Sequence, residues 1–364
     1  MLLAVAIPCL GEVRLRILVE GDPVEVGPGA AIEIAARPTG AFAVALERDS
    51  NLVVRAFDAA GAEEFVKNLR SLGYSGGSNV RGLVPLRGYR YGVGWNVDHH
   101  YAGIQSSSVA LVGGAGVQRV LDQSRRLVSP TVTSDGAGGL FAVARDSTEE
   151  RMVFRRWTAE GSLAHSGPVP LRGSPIRAAS FRGGVALLFR DAATSTYAIA
   201  WLDRQGRVIE QAAARGSLAT DGYQLADLLS LASEVVVRFG ASPRSLGPPR
   251  KLVAAPEGRV IVGASLAGDS WGRWVLTWST CDLSYAVDTC RLHLRSFDRL
   301  GRSLGPPVQL DGVDGGVLGT TVTASGPGRF LVAGDEYFPD RVVGHVRVWR
   351  LRLTAEADQP GGRP

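Results

Sequence analysis

Three groups of side chains in this sequence are of types that do chemistry. The first lies in two segments that interrupt an otherwise regular pattern, Asn96-Val97-Asp98-His99-His100-Tyr101 and Asp335-Glu336-Tyr337-Phe338-Pro339-Asp340. Asp98, His99 and His100 are metal ligands by type, although neighbouring His residues on an extended chain point to opposite sides. Tyr101, Tyr337 and Phe338 offer contacts to a sugar or a peptide. The second group is Glu33, Arg81 and Arg177, charged residues on strands that are otherwise small and apolar. Two arginines aimed at one point would clamp a carboxylate or a phosphate. The alternative is arginines whose stems lie along the wall and whose heads reach water. The third group is Arg48-Asp49, Arg145-Asp146 and Arg190-Asp191, with Asp98, Asp282 and Asp335 at similar positions. Such a ring could hold a cation, calcium by type, or a sugar. Because it recurs at equivalent points, we read it as structural, each Asp closing a turn and pairing with a nearby Arg.

Established catalytic signatures are missing. There is no G-x-S-x-G elbow, phosphate-binding loop, HExxH pair or dinucleotide fingerprint, and spacing picks out no Ser–His–Asp set. No cofactor is called for.

These residues must be positioned by a repeat. The segments VVRAFDAAGAEEF (53–65), VFRRWTAEGSLAH (153–165), AIAWLDRQGRVIE (198–210) and LHLRSFDRLGRSLGPPVQL (292–310) share one form. Each is an alternating run ending near an aromatic residue, then a polar turn with Gly, then a second short strand. VVRFGASPRSLGPPRKL (236–252) is a fifth copy, and 108–121 and 348–360 are degenerate ones. Between them a second hairpin recurs, at 31–49, 130–146, 175–191 and 320–336. The unit is therefore four antiparallel strands in about 49 residues, the size of a β-propeller blade. The expected fold is all-β, a single propeller of seven four-stranded blades. Six is the alternative, if the short unit near 215–255 merges with a neighbour. The strand-like segment 13–26 has no unit of its own and is expected to close the ring beside 346–353. Residues 13–357 would form the propeller, 1–12 the remnant of a signal or lipoprotein leader, and 358–364 a disordered tail.

The pattern resembles the repeat propellers of large secreted bacterial proteins, whose blades carry an R-x-F-D-x-x-G-x-x-L-G-P hairpin. FDRLGRSLGPP (297–307) is the nearest match, and FDAAG (57–61) and WLDRQG (201–206) are looser. The resemblance covers nearly the whole chain and implies fold rather than activity. The repeated S-x-D-x-G-x-x-W box of secreted sialidases is absent. TSDGAGGLF (133–141) approaches it but has Ala137 where Gly is needed.

Composition narrows the rest. The 364 residues are 45% hydrophobic and 21% charged, enough to bury a large core. No apolar run reaches the roughly 20 residues of a membrane-spanning helix. The net charge is +5, but nearly all the basic residues are Arg, scattered without a block, so nucleic acid is not an expected partner. Cys281 and Cys290, without His or a CxxC pair nearby, read as a disulfide across a loop and imply an oxidising compartment. The apolar start MLLAVAIPCL is signal-like. Cys9 as a lipid acceptor fits less well, since Pro8 stands where a small residue is usual. Export to the periplasm or beyond follows, as a monomer. The expected role is a binding or structural module with its ligand, a glycan, a peptide or a cell-surface protein, on the loop face at the channel mouth. The competing role is a carbohydrate-active or lactone-hydrolysing enzyme with an Arg, carboxylate or metal site in the channel.

Overall fold

The computed structural model describes residues 14–48, 51–69, 78–87, 90–99, 104–114, 117–284, 286–310, 316–337 and 344–355. Among these residues the chain is all β-strand and turn, with two short 3-10 turns at Pro243–Ser245 and Val287–Thr289 and no α-helix. After β1 (Leu15–Val19) and β2 (Val24–Pro28), four-stranded antiparallel sheets follow one another. They are β3 (Ala30–Ala36), β4 (Phe42–Arg48), β5 (Asn51–Phe57) and β6 (Glu63–Leu69), then β7 (Ser78–Pro85), β8 (Arg90–His99), β9 (Ile104–Gly113) and β10 (Val117–Ser124). The next strands form one seven-stranded path: β11 (Leu127–Ser134), β12 (Leu140–Asp146), β13 (Arg151–Trp157), β14 (Leu163–Phe181), β15 (Gly184–Asp191), β16 (Tyr197–Leu202) and β17 (Val208–Ala213). Here β14 serves twice, pairing with β13 over 163–172 and with β15 over 173–181. Two four-stranded sheets follow: β18 (Ser217–Thr220), β19 (Leu225–Ser230), β20 (Glu234–Gly240) and β21 (Arg250–Ala254), then β22 (Arg259–Gly268), β23 (Trp274–Asp282), β24 (Arg291–Phe297) and β25 (Val308–Gln309). The last sheet holds β26 (Gly316–Gly326), β27 (Arg329–Tyr337) and β28 (His345–Ala355). Both β1 and β2 pair antiparallel with β28, which places the two ends of the described chain in one sheet.

The residues explain these roles. The second strand of a unit is buried on both faces and reads as a continuous apolar run, as in Phe-Ala-Val-Ala-Leu of β4 and Leu-Phe-Ala-Val-Ala of β12. The fourth strand has one face in water and alternates, as in β17. Each core cluster joins two neighbouring four-stranded units, and one of them lies within the seven-stranded path. Leu52, Phe65, Tyr91 and Trp95 link the first two, and Val26, Phe42, Phe57, Leu331 and Val346 link the last to the first. Among the aromatic residues on the strands, Phe42, Phe57, Phe141, Trp157, Phe189, Trp274 and Phe297 are buried, whereas Trp201 is only partly covered.

The turn Gly between the third and fourth strands has two tasks. Gly61, Gly161, Gly206 and Gly301 all have positive φ, between 73° and 95°, where a side chain is strained. Each also lies against the neighbouring unit. A Cβ on Gly206 would stand 2.7 Å from the Phe154 ring, one on Gly301 3.0 Å from Phe239, and one on Gly61 2.6 Å from the Arg350 guanidinium. The polar residue three before Gly caps the turn. Asp203 Oδ1 accepts the N–H groups of Gln205 and Arg207 (2.8 and 2.9 Å), and Asp298 does the same for Leu300 and Arg302.

Candidate functional site

The first strands of successive units lie side by side: β3 against β7, β7 against β11, β11 against β14, β14 against β18, β18 against β22, β22 against β26, and β26 against β3. All seven contribute to one cavity of about 270 Å³. Its described lining is small or apolar, with hydroxyls from Thr131, Thr133, Ser180, Thr220 and Thr323, and its only charged residues are Glu33 and Arg177. Most of these strands carry a β-bulge near their start, between Ala31 and Glu33, Val80 and Leu83, Val128 and Thr131, and Pro175 and Arg177, among others. A bulge changes which side chains face inward. Glu33 and Arg177 each stand immediately after one, so both turn toward the cavity at the same level.

There they meet. Arg177 Nη2 lies 3.6 Å from Glu33 Oε2, a contact between strands of two different sheets. Arg177 is therefore neutralised across the cavity by a carboxylate that the sequence showed without indicating a partner. Arg81 itself falls inside the bulge of β7, and its side chain lies outside the described residues.

Glu33 and Arg177 also line a larger hollow of about 490 Å³ at the end where fourth strands lead into first strands. Its walls are Val80, Ile176, Leu188, Leu228 and Leu229, and Tyr197 stands on its edge, 43% exposed. Ser217, Ser230 and Arg215 bring polar groups. Arg215 is exposed and has no ion pair among the described residues, so it is the free cation of the hollow. Its backbone is held from below. The fully buried Asp227 carboxylate accepts the N–H groups of Arg215 (3.0 and 3.1 Å) and Gly216 (3.2 Å). Arg238 holds that carboxylate in turn through Nε at 2.9 Å and Nη2 at 2.5 Å. Sequence reasoning missed Arg215. Its signal is a solitary Arg-Gly between a fourth strand and the next first strand, followed by an Asp inside an apolar strand.

The remaining candidates are dispersed. Asp98 and His99 end β8 with side chains outside the described residues, and His100, Tyr101 and Phe338 lie outside them altogether. Among the described residues no three metal-ligating side chains gather. Tyr337 ends β27 half-buried against Gly344 and lines neither cavity; burial raises its phenol above the ordinary value. Of the repeated Asp residues, Asp146 and Asp191 cap turns, Asp282 accepts the Ser284 hydroxyl at 2.6 Å, and Asp335 is buried within β27. Asp146 receives Arg126 Nε (2.9 and 3.0 Å) and the N–H groups of Thr148 and Glu149, and Asp191 those of Ala193 and Thr194. The Arg126 hydrogen bond, with those backbone donors, holds the Asp146 carboxyl down at about 2. Cys281 and Cys290 form a disulfide beneath the loop after β23. Nearby, Arg259 Nε donates to Thr280 Oγ1 (3.1 Å), which lies 2.9 Å from His293 Nε2. Burial, with Arg259 near, lowers the His293 pKa and favours its neutral ring. Thr280 is fully buried, so this chain of bonds ties β22, β23 and β24 together.

No protein-family model matches the chain, and no curated protein matches it. Solved structures do. The β-propeller domain of the Trilobed protease from Pyrococcus furiosus, described as having an open velcro topology, superposes with a TM-score of 0.52 at 10% identity, covering 93% of this chain and 99% of that one. The NanB sialidase from Streptococcus pneumoniae gives 0.51 at 9% identity over 96% of this chain and 71% of that one. The Dos1 propeller gives 0.49 at 13% identity, covering 91% and 94%. At such identities the likeness is one of architecture. With its successive four-stranded sheets and shared cavity, the chain has the β-propeller fold.

Proposed function

We propose that the units are seven blades of one ring, closed where β1 and β2 join β28, and that the molecule is an exported binding module. Three observations support the ring. The seven first strands touch in cyclic order, they share one cavity, and each core cluster spans neighbouring four-stranded units. The disulfide between Cys281 and Cys290 supports export.

The observation that carries the binding role is the hollow at the channel mouth. It has an apolar floor, one cation at Arg215 unpaired among the described residues and two serine hydroxyls, within the usual size range of small-molecule sites. Those features fit a ligand that joins an apolar body to a carboxylate. The body would lie on Ile176, Leu188 and Leu228, and the carboxylate would meet Arg215 and Ser217. The Glu33–Arg177 pair lies on the channel side of the hollow and, with its two charges opposed, leaves Arg215 as the group that attracts an anion. The competing enzyme role has less support, because the only charged groups on the described channel wall are engaged with each other.

Calorimetric titration with octanoate and 4-phenylbutyrate tests this, with the matching amides as controls. The acids are expected to bind at least about tenfold more tightly than the amides, since a charge-assisted hydrogen bond is lost in the amide. Arg215→Ala should abolish the difference. Asp227→Asn, which loosens the backbone under Arg215, should weaken the acids while leaving the amides unchanged. Equal binding of acid and amide, or none of either, would overturn the assignment.

A further inference from the structure

The opposite ends of the same strands carry a different surface. Here the turns between first and second strands present two large aromatic side chains to water, Tyr223 (62% exposed) and Trp271 (65%). Neither position is loose. Trp271 N–H donates to Asp269 Oδ1 at 3.0 Å, and its ring rests on the Arg273 guanidinium, 4.3 Å from the ring centroid. Arg273 is fixed in turn by Nε to Asp269 Oδ2 at 2.9 Å, and that fully buried carboxylate also accepts the Gly328 N–H at 2.6 Å. One face of the indole is therefore stacked and clamped, and the side chain is otherwise open. Tyr223 N–H donates to Asp221 Oδ1 at 2.8 Å, its carbonyl accepts Arg182 Nε at 3.3 Å, and its ring has no aromatic partner among the described residues.

Arg299 lies between the two turns. Its Nε is 3.4 Å from Asp221 Oδ2, its carbonyl accepts Gln224 Nε2 at 3.1 Å, and its side chain crosses Gly272 so closely that a Cβ there would overlap it. Its guanidinium side is half exposed. On the far side of Tyr223, Arg182 and Arg204 extend the row, with Arg204 Nε bound to the Gly183 carbonyl at 2.9 Å. Neither Arg182 nor Arg204 is in an ion pair among the described residues. The order across three successive units is thus cation, ring, cation, ring.

We propose that this strip binds an anionic polysaccharide chain, one bearing carboxylates on its sugar rings. A flat indole held against Arg273, and a phenol on a turn whose backbone is fixed, suit the C–H faces of sugar rings. Arginine forks suit carboxylates between them. Arg299 and Gln224 stand between Tyr223 and Trp271, and a single exposed apolar side chain beside them, Leu300, makes no groove to anchor the side chains of a peptide. Two unpaired arginines are too few to neutralise the phosphates that give nucleic acid most of its affinity. The chemistry is distinct from that of the hollow at the other end of the strands, and a molecule with both would hold an acidic glycan on one face while taking its small ligand on the other.

The test is affinity electrophoresis of the full chain in gels containing polygalacturonate, with dextran, polyglutamate and single-stranded oligo-dT in parallel gels. Polygalacturonate is expected to retard the protein, and the other three are not. The double variant Tyr223→Ala, Trp271→Ala should bind at least about tenfold more weakly, with an unchanged melting temperature because both side chains are exposed. Arg182→Gln should bind more weakly at low salt. Arg215→Ala should bind as the wild type does, which separates this surface from the mouth. No retardation by polygalacturonate, equal retardation by any of the other polymers, or an unaffected double variant would each overturn the proposal.

Discussion

At the scale of single residues, the charges of this molecule act mostly in pairs. The sequence shows Glu33, Arg177 and the recurring Asp residues, but whether a charge is free or engaged depends on a partner far away in the chain. Arg177 finds Glu33 across 144 positions, and Asp146 finds Arg126 rather than the adjacent Arg145. Reading the repeated Asp as turn caps was possible because side chains that bond to the backbone do so locally. Arg215 was not legible because its freedom is a property of what surrounds it. The Asp146 pair also has a consequence with pH. Its folded pKa of about 2 lies below the ordinary value of 3.8, so its contribution to stability is complete above about pH 4. That contribution is lost as the pH falls toward 2. Melting temperature measured from pH 6 to pH 2 should therefore fall in that window, and Arg126→Ala should fall less over the same range. An identical slope in the two proteins would show that the pair does not set the acid limit.

At the scale of elements, the repeat was legible and the phase of its inner strands was not. The D-x-x-G signature is a local matter, fixed by a capped turn and a positive φ, so it survives in the sequence as a visible pattern. Bulges leave no such mark, and near the start of these strands one inserted residue reverses which side chains face the channel. That is why Arg81 and Arg177, similar on paper, differ in place: Arg177 follows its bulge, whereas Arg81 sits within one. Gly206→Ala tests the account of the turns. It combines φ of +76° with a Cβ 2.7 Å from the Phe154 ring, so it should cost about 1–3 kcal/mol in denaturant melts. Gly258→Ala serves as the control, with a similar φ of +74° and open space around it, and it should cost less. Equal losses would mean that backbone strain alone, and not the contact between sheets, explains the glycine.

At the scale of the whole molecule, the proposed ring depends on one seam. There β1 and β2 run along β28, and the outward face carries Glu25 with His345 Nδ1 at 2.9 Å and Arg347 Nε at 3.1 Å. Burial would raise the Glu25 pKa, but these two hydrogen bonds outweigh it and hold the carboxyl below its ordinary value. Beneath the seam Val26 packs with Val346, Val348 and Phe42. A chain lacking residues 14–29 loses that packing and exposes the edge of β28. It should melt about 10 °C lower or more and with less cooperativity. An unchanged melt would mean that the ring does not need its seam. The central claim, that the mouth of the channel is where this molecule takes its ligand, is tested most directly by hydrogen–deuterium exchange with and without 4-phenylbutyrate. Added protection is expected at 215–217 and 228–230, with the turns at 221–224 and 269–273 unchanged. Protection confined to those turns, or no protection anywhere at saturating ligand, would contradict it.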